Sequence, residues 1–578
     1  MPTANIPLRC RAKRKCCERE AKWLVAVRKF NERMPIESTL TFGPVFRRAG
    51  STMCLLAVAA LATSALAAAP DRSPSWADRD LFPEAYSILT SDRVMFPDDV
   101  SDWPLKIDAT HQLFVDDYLI SRIEHLSRQF HQPTKHPDNP LLPGGYLGVL
   151  YDERKGQFRM WNNLDYFTSG DGVKWIRRDP GPDGDLLRKE GGQLRGFIYH
   201  PDLPKSADRY KAVVERRFNE QDREPGGFYL YHSRDGLKWE RRPRRAILQR
   251  SANCMFPCEF RPVGAGEPRQ LQWGVPDHMQ ANGVGDTSTF RYDPVLKRYV
   301  FDGKLILHFP PEKVAQLGIV PEPRKYPHLR LRTFSESEDL LHWSPPRFLM
   351  YPDRLDAPDC QIYAHVGFVY ESMWIGLIQR MKHQETGWKQ TDLTLSYSRD
   401  GRQWLRPQNR EPFIPLGAAD SWEADYAVSS YTAPVLKGEE LYFYYSSTRN
   451  PARYGKTPNE PWPPQQIGLA RLRRDGFCSL NAGDTPGQIV TRPLTFRGTS
   501  LFVNAEILDG GWIQAGVLTR DSKAIAGYEL ENSVPLTRDT TRGRMVWKSR
   551  TTLNPAGDGH LRIVFQLRNA KCYSFWIE

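Results

Sequence analysis

One heptapeptide occurs four times in this chain, and it constrains the fold more than any other feature. Ser169-Gly-Asp171-Gly-Val-Lys-Trp175 recurs as Ser233-Arg-Asp235-Gly-Leu-Lys-Trp239, as Ser337-Glu-Asp339-Leu-Leu-His-Trp343 and as Ser398-Arg-Asp400-Gly-Arg-Gln-Trp404. Asp and Gly favour a tight turn between two strands. The Ser and Asp side chains can bond the amides of that turn. The Trp that follows is a large apolar plug suited to a neighbouring sheet. The pattern therefore predicts a structural hairpin, repeated at spacings the size of a β-propeller blade.

The segments before each heptapeptide share a two-strand pattern. Tyr146–Tyr151 leads to Gln157–Trp161, Arg195–Tyr199 to Tyr210–Glu215, Thr287–Tyr292 to Arg298–Asp302, and Tyr363–Val369 to Ser372–Gln379. A fifth copy, Ser430–Leu436 then Glu440–Ser446, is followed by Ile467–Leu472 and a degenerate hairpin at Arg474-Asp475-Gly476-Phe477. Five such units predict an all-β chain, a five-bladed β-propeller over residues 111–486. From residue 487 to 578 the runs Leu501–Ile507, Trp512–Leu518 and Leu561–Leu567 alternate at strand period and predict a C-terminal β-sandwich. Residues 70–110 are Pro- and Asp-rich and are expected to wrap the propeller.

The formal net charge is +12, a value that can mark a nucleic-acid partner. Residues 1–50 hold twelve Lys/Arg against four Glu, so most of the excess lies at the N-terminus and no nucleic-acid partner is expected. Residues 53–69 read MCLLAVAALATSALAAA after Arg47-Arg48. A basic region, a short apolar run and small residues match a secretory signal. Residues 1–69 are thus expected to be a leader, with Met34 or Met53 a candidate start, and the mature chain secreted or periplasmic. No later run reaches the roughly 20 apolar residues of a membrane span. The five Cys beyond the leader (Cys254, Cys258, Cys360, Cys478 and Cys572) are too sparse for a disulfide framework.

A propeller brings its innermost strands to one axis, so acids at the starts of those strands are the informative residues. Glycosidic hydrolysis needs two carboxyl groups, whose separation sets the stereochemical outcome. Asp286 opens the third inner strand, Asp359 precedes the fourth, and Glu215 ends an apolar strand in the second unit. They are the candidate catalytic residues, with Asp286 as base or nucleophile, Glu215 as acid and Asp359 as modulator of pKa. Asp116 or Asp117 is a candidate for substrate binding; only one of two neighbours on a strand can face a pocket. Glu423 and Asp425 precede the fifth inner strand. His278, Tyr363 and His365 are further lining candidates, and Trp273 and Trp422 could stack on sugar rings. No metal or cofactor is demanded, although an oxygen-rich axis would suit Ca²⁺.

The run Leu113–Ile120 (LFVDDYLI), followed by residues 131–140 (HQPTKHPDNP), resembles bacterial glycoside hydrolase family 32-like and 43-like proteins of planctomycete type. Gly285–Thr289, Asp356–Tyr363, Arg410–Pro415 and Leu472–Leu480 resemble the same group. The resemblance spans residues 108–578. It implies a five-bladed propeller with an appended β-sandwich and a sugar substrate. The W-x-N-D-P-N-G motif of authentic family 32 members does not occur here.

The resulting expectation is a secreted glycoside hydrolase acting on an oligo- or polysaccharide with paired carboxylates in an axial pocket. The rival is a non-catalytic carbohydrate-binding or protein-interaction propeller. Convergence of acids at the axis favours the first; a lining of amides, hydroxyls and aromatics favours the second.

Overall fold

The computed structural model describes residues 104–163, 165–179, 189–216, 226–249, 280–282, 285–308, 328–344, 346–353, 355–357, 360–383, 389–449, 463–553 and 559–578. The leader, residues 70–103 and the candidates His278, Trp273 and Asp359 lie outside them. So do Cys254 and Cys258.

Five antiparallel sheets form a five-bladed propeller. Blade 1 holds Leu147–Asp152, Gln157–Asn162, Asp165–Ser169 and Ile176–Arg178 in that order. Blade 2 holds Gln193–Tyr199, Tyr210–Arg216, Gly227–Ser233 and Glu240–Arg241. In blade 3, Thr289–Asp293 pairs with Arg298–His308, which leads to His328–Ser337 and Arg347–Met350. Blade 4 runs Cys360–Tyr370, Met373–His383, Lys389–Ser398 and Pro412–Ile414.

Each heptapeptide is the turn from a third to a fourth strand, and its hydrogen bonds repeat. The Ser169 hydroxyl accepts from Gly172 N–H at 2.9 Å, and Asp171 Oδ1 accepts from Val173 and Lys174 N–H at 2.8 Å each. The same three bonds form at Ser233/Asp235, Ser337/Asp339 and Ser398/Asp400. The fourth position takes a left-handed conformation, with φ of 81°, 78° and 69° at Gly172, Gly236 and Gly401. Glycine adopts it without a Cβ penalty. Leu340 holds φ 68° at the same position while fully buried, so its apolar contacts offset the strain. Trp343 and Trp404 are buried between blade sheets, as the plug expectation required.

Blade 5 departs from the expected plan. Val428–Ser429 and Val435–Lys437 pair with Glu440–Ser447, which pairs with Gln466–Arg473. The fourth strand is not the hairpin at residues 474–477. It comes from the other end of the propeller: Thr134–Lys135 and Leu142–Pro143, just before blade 1, pair with Gln466–Arg473. Backbone pairing between segments from the two ends of the propeller closes the ring.

The chain then leaves the propeller for a ten-stranded sheet organised on two long strands, Leu501–Thr519 and Leu561–Ile577. Cys478–Ala482 belongs to this sheet, although it precedes the expected boundary at 486/487. So do Leu105–Lys106, Gln112–Leu113, Ile120–Glu124 and Ser127–Phe130 from the N-terminal side. The C-terminal unit is thus completed by residues expected to wrap or open the propeller. Alternation explains how one segment serves both: Leu113 and Val115 enter the core of blades 4 and 5, and Phe114 between them enters the core of the C-terminal sheet.

A candidate axial site

Four of the inner strands depart from regular geometry at or near their starts. Tyr146, before blade 1, has φ 56°, and Thr287, before the inner strand of blade 3, has φ 62°. For a β-branched residue this is a strained conformation. In blade 2 the register slips between Leu194 and Gly196, so Arg195 is the extra residue of a bulge. In blade 4 it slips between Ile362 and Ala364, so Tyr363 is another. Bulges re-aim a side chain, and backbone strain gathers at functional sites. Four of the five blades therefore carry an irregularity at the same end of the axis. The hollow there is lined by Tyr146, Arg195, Thr287, Gln379, Tyr426 and Tyr431, among others.

Asp286 stands beside Thr287, half-buried and ion-paired with Lys304 Nζ. It lies within electrostatic reach of Arg195, Tyr363 and Tyr426. Tyr363 and Tyr426 are hydrogen-bonded through their side chains, and burial pushes both phenols upward, so each stays a neutral hydroxyl. Lys304 Nζ sits 4.8 Å from the centre of the Tyr363 ring. Arg330 caps the other side of this group and donates to Gln361 Oε1 at 2.6 Å. The charges described in and beside the hollow include Arg195, Lys304 and Arg330 together with the carboxylates Asp286 and Glu215.

Glu215 is 4% exposed, and its Oε2 accepts from Arg195 Nε at 2.7 Å and Nη2 at 2.6 Å. Arg195 also donates to the Tyr431 hydroxyl at 3.1 Å. This geometry is that of an Arg-paired buried group and speaks against the acid role expected of Glu215 from the sequence.

The remaining candidates are spread through the molecule. Tyr363 reaches the hollow through its hydrogen bond to Tyr426, which lines it. His365 does not, because Ala364 and Val366 line the hollow and alternation turns His365 into the seam between blades 3 and 4. There its Nε2 meets Ser396 Oγ at 3.0 Å. Asp116 binds Arg399 Nη2 at 2.8 Å beside the blade 4 heptapeptide, and Asp117 pairs with Arg128 Nη2 at 2.5 Å. First and third strands run in one direction, so the heptapeptide turns lie at the end opposite the strand starts; neither Asp is at the axial site. Glu423 accepts from Tyr445 at 2.7 Å and from Lys135 at 2.8 Å, and Trp422 stacks on Tyr445. Both belong to the seam with the closing strand. Asp425 is fully buried, and its carbonyl accepts from Thr391 N–H at 2.7 Å.

Lys304, Arg195, Tyr146, Tyr426 and Tyr431 were not candidates in the sequence. A local signal did exist for Arg195, which stands at an inner-strand start, but a search confined to acids passes over it. Elsewhere, His111, Glu371 and Asp475 gather their ligand atoms within 4.8 Å. Arg474 Nη2 already lies 3.1 Å from Glu371 and 3.3 Å from His111, and His111 Nδ1 meets Asp475 at 2.7 Å. A guanidinium fills the place of a cation, so this trio joins the propeller to the C-terminal sheet. No helix among the described residues is long and apolar enough to cross a membrane.

The sequence matches no protein-family model and no curated protein sequence. Solved structures similar to it include an N-acetylgalactosamine deacetylase from F. plautii in complex with blood group B trisaccharide. That structure is 11% identical, with a TM-score of 0.36 and coverage of 61% of this chain and 96% of the other. A thermostable family-43 glycoside hydrolase is 10% identical, with a TM-score of 0.36 and coverage of 60% and 96%. An endo-arabinase from Bacteroides thetaiotaomicron is 12% identical, with a TM-score of 0.30 and coverage of 60% and 97%. At these scores the likeness carries no argument about activity.

Proposed function

We propose that the chain is a glycoside hydrolase that holds a sugar at the axial hollow and uses Asp286 as base or nucleophile. The carrying observation is the position of Asp286: a part-exposed carboxylate next to Thr287, which lines a hollow where four blades depart from regular strand geometry. Tyrosine hydroxyls, Gln379 and Ser429 around the hollow offer the donors and acceptors that a polyol needs, and the ring faces suit sugar C–H groups. Hydrolysis requires a second carboxyl group. Asp359, which directly precedes the blade 4 inner strand in sequence, is the candidate to supply it, because Arg195 holds Glu215 in a buried ion pair. The basic and apolar leader supports an exported enzyme.

Non-catalytic sugar binding at the same hollow is the second reading. It is favoured by the ion pair that ties up Glu215 and by a described lining dominated by hydroxyls, amides and aromatics. The two separate on a panel of aryl glycosides and plant or algal polysaccharides. The hydrolase reading expects turnover that Asp286→Asn abolishes while sugar affinity persists. Binding without cleavage, or turnover unchanged in the variant, removes Asp286 from a reaction.

A further inference from the structure

We propose that Lys304 is a positioning residue for Asp286, its ammonium holding that carboxylate ionised and aimed at the hollow. The inference deepens the hydrolase reading and rests on it for its consequence, but the pairing itself is testable without turnover.

Several features serve this one contact. Lys304 lies on the second strand of blade 3 and is 4% exposed, yet its Nζ reaches the part-exposed Asp286. Its stem passes directly beneath Gly285, where an added Cβ would stand 2.2 Å from Lys304 Cε. Residue 285 can therefore be only glycine while the lysine keeps this path. Ser288, fully buried, accepts from Lys304 N–H at 3.0 Å and donates to the Gly285 carbonyl at 2.9 Å, which fixes the loop against the strand. Arg332 pins the other side, donating to the carbonyls of Thr287 at 3.3 Å and Tyr363 at 3.0 Å. The strained Thr287 is held by these contacts and by its own hydroxyl on Tyr363 O at 2.9 Å.

A buried ammonium is costly unless paired. Burial lowers Lys304 to about 8, with Arg330 and Arg332 pushing the same way and Asp286 opposing them. Arg195 from blade 2, Tyr363 from blade 4 and Tyr426 from blade 5 are further ionisable groups within electrostatic reach of Asp286. Burial keeps the Tyr363 and Tyr426 phenols neutral across the working range. The pair is therefore complete only between the titration of Asp286 and that of Lys304. Above about pH 8 the lysine turns neutral and its grip on the carboxylate is lost.

The test titrates the Asp286 carboxyl by carbon NMR in the full chain labelled at Asp, with Asp286→Asn to assign the signal. Lys304→Met should raise its titration by about 1–3 pH units, the effect of removing an opposite charge in contact. Gly285→Ala, which keeps every charge but crowds the lysine stem, should raise it less. Lys304→Arg should keep it low, and should abolish any alkaline loss of turnover near pH 8. It also keeps the proposal falsifiable if the methionine variant does not fold. An Asp286 titration unmoved by Lys304→Met or by Gly285→Ala overturns the proposal. A shift in both variants together with a native chain that cleaves no glycoside supports the pairing and defeats the hydrolase reading alone.

Discussion

His365 Nδ1 lies 2.6 Å from Asp302 Oδ2, with both side chains buried between blades 3 and 4. With Ser396 Oγ on the far ring nitrogen, the three atoms reproduce the order of a Ser-His-Asp triad. Their surroundings give them a different role. Ser396 and His365 are 0% exposed, so no substrate reaches the hydroxyl. Asp302 also accepts from Arg332 Nε at 2.6 Å, and Arg332 in turn holds the carbonyls of Thr287 and Tyr363. The chain of contacts therefore fixes two strand starts at the axis and performs no chemistry of its own.

Asp302→Ala should accordingly destabilise the fold by about 3–5 kcal/mol, because Arg332 remains as a buried charge without its counter-ion. Ser396→Ala removes one neutral hydrogen bond and should cost only about 1 kcal/mol. Denaturant unfolding measures both. Loss of sugar turnover in a folded Ser396→Ala protein would contradict the structural role.

Glu215→Gln tests the second buried pair. It strips the charge from the carboxyl that Arg195 grips, and should cost about 3–5 kcal/mol of stability by the same reasoning. Thermal and denaturant unfolding should show the loss whether or not a sugar is present. Full stability with abolished turnover would instead make Glu215 the proton donor.

Gly236→Ala and Gly438→Ala form a matched pair. Both positions are left-handed, at φ 78° and 62°, a conformation that costs an alanine about 1–2 kcal/mol. At Gly438 nothing lies within 4 Å of the new Cβ, whereas at Gly236 it would meet Trp161 Cζ2 at 2.7 Å. Gly236→Ala should therefore lower the melting temperature more. Equal losses would mean that the heptapeptide turn yields without disturbing the neighbouring blade.

The heptapeptide aspartates make the propeller acid-sensitive. Burial would raise Asp171, but the amides of Lys174 and Val173 and the Ser169 hydroxyl outweigh it and hold the carboxyl at about 2. Asp235 and Asp339 are lowered by the same kind of bonds, with His342 adding to the second. A carboxyl lowered on folding contributes stability above its ordinary value of 3.8, and that contribution is lost as pH falls toward about 2. Unfolding free energy followed between pH 5 and 2 should fall steeply below pH 4. Replacing Asp171 and Asp235 by Asn should flatten the fall.

Much of the propeller was legible because its signals are local. A turn needs its Ser, Asp and left-handed residue within seven positions, so four blades could be read directly from Ser169, Ser233, Ser337 and Ser398. The strand pairs before them follow from short apolar runs. The fifth blade misled because its outer strand, Thr134–Lys135 and Leu142–Pro143, lies over three hundred residues from its partner Gln466–Arg473. Nothing local in either segment specifies that pairing. The N-terminal strands that enter the C-terminal sheet were missed for the same reason.

The candidate site divides along the same line. Asp286 and Tyr363 could be named from their positions at inner-strand starts. Asp116, Asp117, Trp422, Glu423 and His365 had similar local settings and went elsewhere, since a strand start gives a residue's height along the axis but not the direction of its side chain. Direction depends on the bulges at Arg195 and Tyr363 and on the left-handed turns at Tyr146 and Thr287. Sequence alone determined the turns, four of the blades and the presence of acids among them. Tertiary structure alone decided which charges meet, because Lys304 finds Asp286, and Arg195 finds Glu215, only after separate strands have packed and expelled the water that would otherwise screen them.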